Sequence, residues 1–198
     1  MKIVDNNVSM FLRKFKDVVI IKILKTPVLC IIFIFSISYG AKANYTSEEF
    51  QKSFFDIDYK EVYDALQESN EHFKRDIALP VQIPPIDFTH NFGRLSDLDG
   101  DINDGFEIEY RYIKKPQNHY MIWVKPVTLG LPIRKEHIDQ TFQLKDGSKA
   151  IYSTKIAREF NLLVFEKNGW QYVLNINKAV SDQVKPEILV EIANSVNP

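Results

Sequence analysis

Cysteine is almost missing from this 198-residue chain: Cys30 is the only one, and it lies within an apolar run near the N-terminus. Pro27-Val28-Leu29 before it and further apolar residues after it do not suit lipid attachment, so Cys30 is read as part of that run. The rest of the chain then has no disulfides, no zinc–thiolate centre and no thiol nucleophile. Glycine is also scarce, with seven in all, and none of them forms a phosphate-binding loop. Serine nucleophiles lack a Gly-x-Ser-x-Gly elbow, and His72, His90, His119 and His137 fall in no short metal-ligand spacing.

Net charge is nearly absent as well, at −1, but that figure averages two unlike parts. Lys2, Arg13, Lys14, Lys16, Lys22, Lys25 and Lys42 precede Asn44, alongside only Asp5 and Asp17. From Asn44 onward 18 basic and 24 acidic residues leave a formal charge of −6. That balance disfavours binding to nucleic acid or to an anionic membrane surface.

What is present begins with a three-part leader. A basic segment leads into the apolar run at residues 28–39, which is followed by Gly40-Ala41-Lys42-Ala43. This is the layout of a secretory signal, and the small residues Ala41 and Ala43 suit a signal peptidase. Cleavage is expected after Ala43, giving a mature chain that begins Asn44-Tyr45-Thr46. Met10 is an alternative start. The competing reading is an uncleaved anchor at residues 18–39, which have spanning length but are interrupted by Lys22, Lys25 and Pro27. Either way the body is expected outside the cytoplasm, secreted or held at the cell envelope. About 155 residues can bury about 68–70% of their unfolded surface, so a packed core is within reach.

Thr46-Ser47-Glu48-Glu49 and Asp58-Tyr59-Lys60-Glu61 each place a cap three residues before a carboxylate, which predicts two helix starts. Phe50, Phe54 and Ile57, then Tyr59, Val62, Tyr63, Leu66 and Phe73, recur at helical spacing. Residues 44–78 are therefore read as a helical segment packed with residues 79–198 as one domain. Leu79 to Ile86 holds three prolines and reads as a connector. Alternation at 106–112 and 120–124 predicts an antiparallel hairpin. Asp146-Gly147 and Asn168-Gly169 divide two more, with strands at 141–144, 150–153, 162–166 and 170–176. A helix closes the chain between Ser181 and Val196. The expected fold is α+β, with about six antiparallel strands in a curved sheet.

Several motifs taken together resemble a known grouping. They are Leu79-Pro80 with Pro84-Pro85-Ile86-Asp87-Phe88, Phe106-Glu107-Ile108-Glu109-Tyr110, Asp146 to Tyr152, and Gly169 to Leu174 with Leu189-Val190-Glu191-Ile192-Ala193-Asn194-Ser195. Over residues 79–195 the chain resembles an uncharacterised domain family of exported or membrane-anchored Gram-positive bacterial proteins, some attached to sigma-factor regulators or sporulation proteins. The resemblance implies an extracytoplasmic, non-catalytic module with a curved sheet, distantly like lipoprotein carriers. It carries over no active site.

Asp97-Leu98-Asp99-Gly100-Asp101-Ile102-Asn103-Asp104 is the most conspicuous polar cluster. Asp97, Asp99, Asp101 and Asn103 could ligate calcium weakly, although Asp104 and Tyr110 stand where an EF-hand needs Gly and Glu. A solvated acidic turn is the plain alternative. Glu107 and Glu109 share a strand face as a glycosidase pair would, but Arg111 beside them points to a solvated charge ladder. His90 near Asp87 and His137 beside Glu136 are weak acid–base pairings, because adjacent positions on an extended chain face opposite ways.

Three functions remain. The leading one is a secreted or cell-envelope binding module for a protein, wall component or apolar ligand. The second is an extracytoplasmic hydrolase using carboxylates in the 97–109 region. The third is an acidic inhibitor or immunity protein for a basic partner.

Overall fold

The computed structural model describes residues 45–97 and 104–197, so the leader with Ala41 and Ala43, and the loop residues Asp99, Asp101 and Asn103, lie outside the described residues. The unit that begins at Tyr45 carries the fold.

Thr46 starts the first helix, α1 (Ser47–Phe55), through both halves of a capping box: its hydroxyl accepts the Glu49 N–H, and the Glu49 carboxylate accepts the Thr46 N–H. The second predicted cap is not one. Asp58 adopts a left-handed conformation (φ 67°), and Lys60 pairs with Gly93 in an isolated bridge. Helix α2 (Val62–Phe73) starts only after them, at Glu61, with no side-chain cap. The reason is the bridge: Lys60 must stay extended to exchange both of its backbone hydrogen bonds with Gly93.

Seven antiparallel strands follow, one more than expected: β1 (His90–Ser96), β2 (Gly105–Arg111), β3 (His119–Pro126), β4 (Gln140–Gln143), β5 (Lys149–Ser153), β6 (Phe160–Lys167) and β7 (Trp170–Asn177). Their order is β1-β2-β3-β7-β6-β5-β4 in an open sheet. The β3–β7 pairing joins two meanders. Strand β1 escapes a search for alternating hydrophobics because one face of it offers Asn91, Gly93 and Leu95 and the other His90, Phe92, Arg94 and Ser96. Gly93 is required there by packing, since a Cβ on it would meet Ala65 Cβ of α2 at 2.8 Å. The Gly147 and Gly169 turns have positive φ, as their hairpins demand. Helix α3 (Pro186–Asn194) opens with Pro186 in its first turn.

The register separates two faces. One row of the first face runs Gly93, Ile108, Ile122, Leu174, Leu163 and Tyr152 across six strands. This face meets α2 and α3 and forms the main core, with Ala65, Leu189 and Ile192 fully buried against it. The connector at 76–80 is tied to the same face, where Trp170 Nε1 donates to the Asp76 carbonyl and Tyr172 Oη to that of Ala78. On the second face, Leu162, Val164 and Val173 form a smaller apolar cluster under Leu131, Ile133, Ile156, Ala157 and Phe160. Its β1–β2 end is charged and covered partly by α1, whose Phe54 ring stacks on Phe92 at 4.3 Å. Among the described residues no helix is long and apolar enough to cross a membrane.

Candidate functional site

The second face holds most of the chemistry, and its charges are already partnered. Glu107 accepts hydrogen bonds from Tyr59 Oη at 2.6 Å and from Arg94 Nε at 2.8 Å. Burial, then Glu107, pushes the Tyr59 phenol far above the ordinary tyrosine range, so it stays a donor. Glu109 meets His119 Nε2, and Arg111 Nη1 lies 2.7 Å from His119 Nδ1. Arginine has only donors, so Nδ1 must accept and Nε2–H must donate to Glu109. The row is half-buried and internally hydrogen-bonded, which replaces the expected solvated ladder.

A second constellation was not legible in the sequence. Ser47 Oγ on α1 lies 2.9 Å from His90 Nε2 on β1, and Thr89 Oγ1 lies 2.8 Å from His90 Nδ1. Thr89 also donates to the Arg111 carbonyl and accepts from the Ile113 N–H. With its proton directed to Arg111, the threonine accepts from Nδ1–H, and Nε2 is left to accept from Ser47. The imidazole is held between Phe50 and Phe92 at the edge of a concavity of about 460 Å³. Among the described residues no carboxylate hydrogen-bonds to it; Asp87 pairs with Lys115 instead. Ser47 and His90 are separated by 43 positions and share no motif, so only the fold brings them together.

The acidic segment divides. Asp97, at the end of β1, and Asp104, before β2, are brought to His72 in the last turn of α2. His72 Nε2 lies 2.7 Å from Asp104 Oδ2, and Nδ1 lies 4.0 Å from Asp97 Oδ2. Asp104 is buried, and its Oδ1 has no hydrogen-bond partner among the described residues. Leaving such an oxygen unsatisfied costs about 1–3 kcal/mol. Asp97 is the one member of the expected calcium set that is described. His72 was missed because it lies 25 positions upstream on a helix. His137 sits in a short 3₁₀ turn beside Glu136, with no contact that assigns it chemistry.

The remaining feature is a groove of about 860 Å³ where the segment at 127–133 crosses the second face. Val127, Leu131, Pro132, Ile133, Ile151 and Val164 give it apolar walls, with Lys149 and Glu166 at its polar end. Gln171 builds the wall: its Oε1 accepts from the Leu131 N–H at 2.6 Å and its Nε2 donates to the Leu131 carbonyl at 3.2 Å. Gly130 permits that approach, because a Cβ there would stand 2.7 Å from the Gln171 amide. The separate β5–β6 connection is anchored by Lys178 Nζ, which donates to the carbonyls of Thr154, Ala157 and Arg158. No family model, curated protein or solved structure matches this chain.

Proposed function

We propose that this chain is an exported, non-catalytic binding module of the bacterial envelope that takes an apolar ligand, or an apolar segment of a partner or wall component. The observation that carries the reading is the groove beside Leu131, Ile133, Ile151 and Val164, walled by a segment fixed through Gln171. Apolar walls with few polar groups are what a binding site for such a ligand needs. The leader and the acidic body support export, as does the resemblance of residues 79–195 to the exported Gram-positive family.

The test is titration of the purified chain with a fluorescent fatty acid and with an apolar peptide. Saturable binding is expected, and Ile133→Gln and Ile151→Gln should each weaken it about tenfold, the worth of one partly buried aliphatic side chain. Asp99→Asn with Asp101→Asn should leave it unchanged. Binding indifferent to both isoleucine variants, or no binding of either probe, contradicts the reading.

Ser47 and His90 favour a second reading, an extracytoplasmic serine hydrolase. The imidazole is set to accept the Ser47 proton, but an uncharged threonine holds it in place of a carboxylate. A fluorophosphonate probe separates the two: labelling lost in Ser47→Ala supports the hydrolase, and an unlabelled protein supports the binding module.

A further inference from the structure

We propose that His72, Asp97 and Asp104 form a binding site for a divalent transition metal of the zinc class, linking the end of α2 to the β1–β2 hairpin. One ligand atom from each residue lies within 4.8 Å of the other two. Bonds near 2.1 Å place tetrahedral ligand atoms about 3.4 Å apart. The imidazole offers the ion one nitrogen only, and with one atom from each residue the set spans up to 4.8 Å, so rotamer changes that draw the atoms in by about 1.4 Å at the widest close the site.

The second, independent observation is the Asp104 carboxylate. Its side chain is 4% exposed, and its Oδ1 has no hydrogen-bond partner among the described residues. A buried carboxylate with an open oxygen is what a cation, or water on that cation, satisfies. An imidazole in the set favours zinc, nickel or cobalt over calcium, which takes oxygen ligands. The site therefore differs in both residues and ion from an all-oxygen loop at Asp97, Asp99, Asp101 and Asn103. Three protein ligands leave at least one coordination position for water or for a donor on a partner.

The experiment is titration of the metal-free full chain with zinc chloride, followed by melting, and with cobalt chloride, followed by visible absorption. One equivalent is expected to bind, with Tm raised by roughly 5–10 °C at about a hundredfold excess over Kd. A cobalt d–d band of low-coordinate type should appear. His72→Gln and Asp97→Asn, both at accessible positions, should abolish the band and the melting shift, whereas His137→Gln should change neither. Asp104→Asn should do the same as the first two, and if it does not fold, those two variants decide. Loss in His137→Gln, retention in His72→Gln, or stabilisation by calcium but not by zinc overturns the proposal.

Discussion

Single side chains with several partners are where this molecule is most exposed to change. Asp139 is the sharpest case. Hydrogen bonds from Lys155, then from the Thr154 N–H and hydroxyl, hold its carboxyl down to about 2, against about 3.9 for a free aspartate. A depressed folded-state value means that the Asp139 contribution is complete above about pH 4 and is lost as pH falls toward 2. Urea unfolding across that window should show a fall in midpoint that Asp139→Asn flattens; an unchanged slope would remove Asp139 from the acid response. Gly93 makes a different kind of demand. Gly93→Ala would drive a methyl against Ala65 Cβ and the Val62 backbone, and should cost about 1–3 kcal/mol in denaturant unfolding. A neutral result would mean that α2 moves freely off β1.

At the scale of elements, the strength of local chemistry decided what could be read from the chain. Thr46 with Glu49, Asp146-Gly147 and Asn168-Gly169 each specify their conformation within a few residues, and each forms as expected. Strand β1 does not, because Gly93 and Arg94 are chosen by α2 and Glu107 rather than by the strand itself. Asp58 carried a cap signature that the Lys60–Gly93 bridge overrode. The meeting of His72 with Asp97 and Asp104, and of Ser47 with His90, depends on how helices land on the sheet and has no local signal. The wall at 127–133 is likewise non-local, held by Gln171 on β7 and by the Val127 N–H on the Gly169 carbonyl. Gln171→Leu removes both hydrogen bonds to Leu131 and should weaken apolar-probe binding at least tenfold while costing about 1–3 kcal/mol of stability. Unchanged affinity in that variant would show that the wall does not depend on Gln171. Thr46→Ala should cost about 1 kcal/mol, read as a shift in urea midpoint.

For the whole molecule, the expected cleavage after Ala43 would leave the Thr46 cap intact. The open sheet places α2 and α3 on one face and leaves the other, partly covered by α1, for the charged row and the groove. Everything proposed about partner and ligand depends on that body reaching the outside of the cell. Fractionation of a producing culture with N-terminal sequencing of the protein tests this directly. A chain beginning Asn44-Tyr45-Thr46 in the medium or the cell envelope is the predicted result; the intact chain, leader included, recovered from the cytosol would contradict it.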